Sequence, residues 1–237
     1  MFNRQRARRS SGGFTLVELL VVIGIIALLI SILLPTLNKA KEASKRTACM
    51  SNQRQLTAAW LIYAHDNKDY LVDPNTNNAT GWIGAGNTEA TLTGGKLWKY
   101  TKNIDIYHCP ADFGWHFSSY SINDYLAGSW SAIPTHAKKV SKVRKGAECF
   151  VFIDEFDLRT PQSGNNQNSF VVLQTGDLWV DYPGKWHSNG TPVSFVDGHV
   201  EYFHWDDPRT LSINAPNQTQ PNNQDLRKLQ RVMGLNF

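Results

Sequence analysis

The sequence predicts an α+β protein, in which one long N-terminal helix, membrane-spanning in its first half, packs on a small antiparallel sheet. Two observations predict this class. An apolar run near the N-terminus continues into a stretch with helical spacing, and the rest of the chain alternates short apolar runs with turn residues. The chain has 237 residues, 41% hydrophobic and 19% charged, which is enough apolar material for a core beside the apolar run.

The apolar run covers residues 14–34 and contains a single charge, Glu18. A helix of this length spans roughly 31 Å, close to the hydrocarbon thickness of a bilayer. Four arginines precede it, which favours a cytoplasmic N-terminus: Arg4, Arg6, Arg8 and Arg9. A carboxylate inside a membrane segment is costly and usually marks function. Cleavage between Gly13 and Phe14 would create an amine that Glu18 could neutralise, within one chain or between neighbours.

Residues 11–18, Ser-Gly-Gly-Phe-Thr-Leu-Val-Glu, resemble the prepilin cleavage and methylation motif of type IV pilins and type II secretion pseudopilins. The resemblance implies that prepilin peptidase cuts after Gly13 and methylates Phe14. It also implies that Glu18 pairs with the N-terminus of a neighbouring subunit during assembly. Pro35 matches the helix proline that many members carry at this distance from the cut.

Helical character continues beyond the membrane segment. Pro35 should kink or loosen the helix, because it lacks a backbone donor. An apolar face then recurs at three- and four-residue steps and predicts one helix to about residue 65, packed on the body. Its members are Leu37, Ala40, Ala48, Leu56, Ala59, Trp60, Tyr63 and Ala64.

The body reads as short strands and turns. Strands are predicted at 104–109, 149–153 and 169–173, and a hairpin joins 193–196 to 199–203 through the turn residues Asp197 and Gly198. The predicted organisation is a leader (1–13), a membrane and assembly helix (14–35), a globular domain (36–211), and a flexible linker with a short C-terminal helix (212–237).

The net charge bears on nucleic-acid binding, and the cysteine count bears on disulfide formation. Without the four leader arginines the chain has 20 basic and 20 acidic residues, and this neutrality argues against nucleic-acid binding. The three cysteines, Cys49, Cys109 and Cys149, allow one disulfide with one thiol left over outside the cytoplasm. The sequence does not choose the pair.

A second resemblance covers the body. His187 is followed after nine residues by Asp197 and Gly198, and earlier segments include Cys-Met-Ser-Asn-Gln at 49–53 and Cys-Pro-Ala-Asp at 109–112. Together they resemble a large pilin-like family of planctomycetes and relatives with a C-terminal His, nine residues, then Asp-Gly. This resemblance implies a pilin-type fold.

Candidate ligand sets in the body are weak. His187 and Asp197, with His199 and His204, contain zinc-ligand residue types but no close ligand motif, so we predict a structural clasp at His187, Asp197 and Gly198 and no metal. Carboxylates at 154–157 suggest calcium, but a solvated loop is the favoured interpretation.

No cofactor or catalytic motif is found, which predicts a non-enzymatic protein. The eight tryptophans are attributed to core packing.

Two functional hypotheses follow. The first is a pilin- or pseudopilin-like structural subunit, a single-pass inner-membrane protein with its body in the periplasm or in an extracellular filament. Its expected partners are prepilin peptidase, like subunits and the inner membrane, and no nucleic acid. The alternative is a membrane-anchored surface-binding protein that uses the same leader for export.

Overall fold

The computed structural model describes residues 15–76, 80–84, 88–113, 118–131, 133, 135–156 and 168–234. Helix α1 runs from Leu16 to Asp66, which confirms the long N-terminal helix, and it continues without interruption past Pro35. The chain divides into two compact units, Met1–Lys41 and Glu42–Phe237. The boundary falls within α1, so the C-terminal part of this helix belongs to the body.

The C-terminal part of α1 buries one face in the body. The buried residues recur at the three- and four-residue steps of an α-helix: Cys49, Gln53, Leu56, Thr57, Ala59, Trp60 and Ala64. The sequence placed Leu37, Ala40 and Ala48 on this face, but all three are exposed, and Cys49, next to Ala48, is buried. The polar members were missed because their partners lie far along the chain. For example, the Thr57 hydroxyl donates to the Ser194 hydroxyl oxygen at 2.8 Å.

The described part of the body contains seven strands. They are β1 (Tyr120–Asn123), β2 (Phe150–Asp154), β3 (Ser169–Phe170), β4 (Leu178–Trp179), β5 (Gly190–Phe195), β6 (Val200–His204) and β7 (Gln218–Thr219). Five of them form a sheet in the order β3-β1-β2-β5-β6, and β4 pairs with β7. The sheet is mixed, because β1 and β3 run parallel while its other neighbours are antiparallel.

The α+β class is confirmed, and most predicted elements have counterparts. The predicted strand at 104–109 is wrong, because Asp105–Tyr107 forms a 3-10 turn. The Asn103 side chain accepts from the Asp105 amide at 3.0 Å, and such local bonds compete with strand pairing. Four short α-helices and two further 3-10 turns complete the described body: α2 (Glu89–Thr93), α3 (Trp98–Thr101), α4 (Pro208–Leu211), α5 (Gln224–Arg231), and the turns Val140–Lys142 and Gly146–Glu148.

The C-terminal segment, for which a flexible linker was predicted, contacts the body. Within it, β7 pairs with β4, and both Ile213 and Asn223 are buried. Asn223 caps α5, since its side-chain oxygen accepts from the Leu226 amide at 2.9 Å. The core is aromatic, as the sequence predicted for its tryptophans: Trp60, Trp82, Trp179 and Trp205 are among the largest fully buried side chains of the described residues.

The β5–β6 hairpin closes through Val196, Asp197 and Gly198. The Phe195 carbonyl accepts from the Gly198 amide at 2.9 Å, and the Phe195 amide donates to the His199 carbonyl at 2.9 Å. The loop therefore has three residues, where the sequence suggested two. Gly198 has a φ of +94°, as the last residue of such a loop requires, whereas Asp197 is not at positive φ.

We expect Gly198→Ala to lower the free energy of unfolding by about 1 kcal/mol, because a Cβ is disfavoured at this φ. The added methyl group meets open space, so backbone strain is the only new cost. Gly146→Ala is the matched control, since its Cβ makes ordinary contacts beside the same hairpin, the nearest at 3.5 Å. Thermal melting of the detergent-solubilised full chain checks both, and equal melting temperatures would contradict the strain argument.

Candidate functional site

Two parts of the chain are candidate sites: the N-terminal part of α1 and a buried polar cluster in the body. Among the described residues, one helix, α1, is both long enough and apolar enough to cross a membrane. The most apolar stretch is not buried at all within the chain. Since exposed apolar side chains need a lipid or protein environment, this surface requires a partner that the single chain does not provide.

Glu18 lies in the first turn of α1 and closes a capping box with Thr15. Its Oε2 atom accepts from the Thr15 amide at 2.8 Å and from the Thr15 hydroxyl at 2.7 Å. In return, the Thr15 hydroxyl oxygen accepts from the Glu18 amide at 3.2 Å. This reciprocal pair satisfies donors that the start of a helix leaves free. Glu18 therefore has a local structural role in addition to the assembly role predicted from the sequence.

The other residues predicted to act at this end are placed differently. Gly13 and Phe14 lie outside the described residues. Pro35 lies inside α1, where the helix is continuous. Next to it, the Thr36 hydroxyl donates to the Leu33 carbonyl at 2.8 Å. Because Pro35 has no amide hydrogen, the carbonyl that lacks its helical donor is that of Ser31, two residues before Leu33.

Comparison with known proteins gives a match to the N-terminal segment. Residues 8–34 match the family described as the prokaryotic N-terminal methylation motif. The chain carries a prepilin-type methylation motif. It is also 34% identical over 87 residues to the type IV wide pilus major component PilA4 of Thermus thermophilus. The matched region is 36% of this chain and 63% of that protein. No solved structure matches the chain. The methylation motif and the exposed apolar helix together indicate membrane anchoring.

In the body, the structure separates the residues of the predicted clasp. Asp197 and Gly198 form the hairpin turn, and Asp197 accepts from the His199 amide at 3.1 Å. His187 is fully buried, and its ring nitrogens face residues other than Asp197. His187 contacts the same hairpin through its backbone, because the Tyr202 hydroxyl of β6 donates to the His187 carbonyl. His187 is thus tied to the hairpin through its backbone, and its imidazole belongs to a second group of residues.

That second group is a buried cluster of four side chains, Cys49, Cys109, Asp154 and His187. One potential ligand atom from each lies within 4.8 Å of the others. Cys49 is on α1, Asp154 ends β2, Cys109 follows the 3-10 turn, and His187 precedes β5. Asp154 was predicted to lie in a solvated loop, and this is wrong: it is 0% exposed, because β2 is a central strand of the sheet.

The cluster is compact. The His187 Nε2 atom lies 2.9 Å from the Cys109 sulfur and 3.6 Å from Asp154 Oδ2. The Cys49 sulfur lies 3.3 Å from Asp154 Oδ1. These separations place thiol, imidazole and carboxyl groups in direct contact. The two cysteines of the cluster are close in space, whereas the Cys149 sulfur contacts the backbone of Phe150 and Met233.

Burial sets the protonation of these groups. It raises the pKa of Asp154 to about 7 and lowers the pKa of His187 to about 4. It also raises the pKa of Cys49 well above its usual value. Although His187 lies at ion-pair distance from Asp154, its lowered pKa makes the imidazole neutral near pH 7, so this contact is not an ion pair.

Sequence reasoning named His187, Asp154 and both cysteines but in separate contexts. No local motif joins them, because Cys49 and Asp154 are 105 residues apart and Cys109 and His187 are 78 apart. A usable signal was the helical spacing of Cys49, Gln53 and Thr57, which places three polar residues on the buried face of α1.

Proposed function

We propose that this chain is a pilin- or pseudopilin-like structural subunit without enzymatic activity. Prepilin peptidase cuts it between Gly13 and Phe14 and methylates Phe14. The mature chain waits in the inner membrane with its body in the periplasm, and then enters a type IV pilus or a type II secretion pseudopilus. The observation that carries the proposal is the methylation motif at residues 8–34, in register with an apolar helix that the chain itself leaves exposed.

The exposed helix explains why such a chain would polymerise. Its apolar side chains surround the whole circumference of the N-terminal part; for example, Leu20 and Leu29 are both 54% exposed although they lie on opposite faces. In the membrane, lipid covers these faces, and in a filament, neighbouring helices replace the lipid. The similarity to a type IV pilus component supports this assembly.

The body favours the structural role over the surface-binding alternative. That alternative needs exposed aromatic residues for ligand contact. Of the seven tryptophans that the structure describes, Trp60, Trp82, Trp179 and Trp205 are buried in the core, and Trp98, Trp130 and Trp186 are half-buried. The resemblance to the planctomycete pilin-like family, based on His187 and Asp197-Gly198, supports a pilin-type body.

Cross-linking through the helix tests this proposal. We expect Leu20→Cys combined with Leu29→Cys to give a ladder of oligomers on mild oxidation in cells. The two positions are half a helical turn out of phase, so each subunit can link to neighbours on two sides. The three native cysteines are buried and should not contribute.

The single variant Leu29→Cys is the matched control, since one accessible thiol per chain limits the product to dimers. A ladder in the double variant and dimers in the control would support assembly. A monomeric, membrane-anchored product in both variants would contradict it and would favour the surface-binding alternative.

A further inference from the structure

The buried cluster of Cys49, Cys109, Asp154 and His187 combines four groups that bind metal ions in proteins. All four are fully buried in the body, and their ligand atoms converge within 4.8 Å. Burying four ionisable side chains together is unfavourable unless something compensates for their lost hydration. The cluster therefore needs an explanation beyond core packing.

We propose that Cys49, Cys109, Asp154 and His187 bind one Zn²⁺ ion in a closed structural site. Cysteine, histidine and aspartate all bind zinc in proteins, and four protein ligands is the number found in a closed structural site. The proposal differs from the sequence prediction, which considered His187 with Asp197, His199 and His204 and predicted no metal.

The distances fit tetrahedral coordination. Zinc bonds of about 2.3 Å to sulfur and about 2.0–2.1 Å to nitrogen or oxygen place neighbouring ligand atoms roughly 3.3–3.8 Å apart. The Cys49 sulfur and His187 Nε2 both lie 3.6 Å from the same carboxylate oxygen, Asp154 Oδ2. Of these three separations, the 2.9 Å between His187 Nε2 and the Cys109 sulfur is the one that is too short, and it must widen by roughly 0.6 Å.

Hydrogen-bond donors face both sulfur atoms. The Trp186 indole N–H donates to the Cys109 sulfur at 3.2 Å, and the Ala111 amide donates to it at 3.4 Å. The Tyr120 hydroxyl donates to the Cys49 sulfur at 3.3 Å. Donors aimed at sulfur stabilise the charged form, which is the form that binds metal.

The other two ligands, Asp154 and His187, each have a neighbouring polar side chain placed to orient them. The Gln53 amide donates to Asp154 Oδ1 at 2.9 Å. His187 Nδ1 is buried without a hydrogen-bond partner and lies 3.4 Å from Glu42 Oε1, which is likewise buried and unpaired. If Nε2 binds zinc, Nδ1 must carry the proton, and Glu42 is the acceptor placed to receive its hydrogen bond. Carboxylates commonly orient zinc-binding histidines in this way.

Proton and charge balance are consistent with zinc. Binding displaces one proton from each thiol, and one from Asp154 where that group is protonated. Two thiolates and one carboxylate then carry three negative charges against the two positive charges of the ion. The ion therefore neutralises all but one of the charges that its ligands carry.

The site would join four separate parts of the body. It links α1, the segment after the 3-10 turn, the end of β2, and the segment before β5. This role resembles that of a disulfide, but the cross-link has four arms and depends on metal instead of oxidation.

Metal analysis of the full chain, purified in detergent micelles without added chelator, tests the proposal. We expect elemental mass spectrometry to detect about one zinc ion per chain. Chelation should lower the melting temperature by several degrees, and added zinc should restore it. Replacement by Co²⁺ should give the absorption bands of tetrahedral cobalt bound by thiolate, a readout that needs no variant.

Variants assign the ligands. We expect Cys109→Ser and His187→Ala each to reduce the bound zinc at least tenfold. Cys149→Ser is the matched control, because Cys149 is equally buried but its sulfur faces the backbone carbonyls of Phe150 and Met233 and is not one of the four clustered residues. It should retain its zinc. Zinc retained at wild-type levels by both ligand variants would overturn the assignment.

A thiol count separates the metal site from a Cys49–Cys109 disulfide. After unfolding with chelator and without reductant, a metal site leaves all three cysteines reactive, whereas the disulfide leaves one. One reactive thiol would overturn the proposal. The proposal would also fail if the purified chain contained no metal and neither zinc nor chelator changed its melting temperature.

Discussion

Replacing Gly13 with valine is expected to leave the precursor uncut. Glycine has no Cβ, so the chain can approach the peptidase closely at this position, and a branched side chain would prevent that approach. The uncut chain keeps the four leader arginines and has no free amine at Phe14. We therefore expect wild-type protein to begin at a methylated Phe14 and the variant to begin at its original N-terminus.

Mass spectrometry of the N-terminal peptide distinguishes these products. Ala7→Val is the matched control, because it adds the same bulk within the leader but away from the junction. It should be processed normally. A Gly13→Val chain that begins at Phe14, or a wild-type mature chain that begins at Met1 or after Ala40, would contradict the predicted cleavage site.

Replacing Glu18 with valine is expected to permit processing and insertion but to abolish assembly. Valine is more favourable than a carboxylate in the membrane, so insertion should not suffer. Assembly should fail because the partner for a neighbouring N-terminal amine is lost. A loss of about 1.4 kcal/mol at each subunit contact already lowers its association constant about tenfold. Filament yield, measured by electron microscopy and by the cross-linked ladder, gives the readout.

Glu18→Gln separates the assembly role from the capping role. Glutamine can replace glutamate in a capping box, so it keeps the bonds to Thr15 but removes the negative charge. If the charge matters, this variant should fail to assemble as the valine variant does. If it assembles normally while Glu18→Val does not, Glu18 acts through the helix cap. Wild-type filament levels with Glu18→Val would refute the assembly role altogether.

The sequence by itself determined the N-terminal part of this protein. The methylation motif matches residues 8–34, and the apolar run and Glu18 can be identified within the same window. This was sufficient because membrane insertion and helix formation depend on a continuous stretch of chain and its local period. The long helix, the strand at Phe150–Asp154 and the β5–β6 hairpin were predicted for the same reason, since each follows from residues close in sequence.

Only the tertiary structure decided which polar residues meet in the body. The sequence predicted a solvated Asp154, because further carboxylates follow it. In the structure Asp154 is buried, because it lies on the central strand β2 and is covered by Gln53 of α1. Cys49 and Cys109 belong to segments that show no common pattern. The register of the strands and the packing of α1 bring their sulfur atoms to His187. The spacing of residues along α1 indicates which of its side chains are buried, but it does not indicate which distant segments those side chains meet.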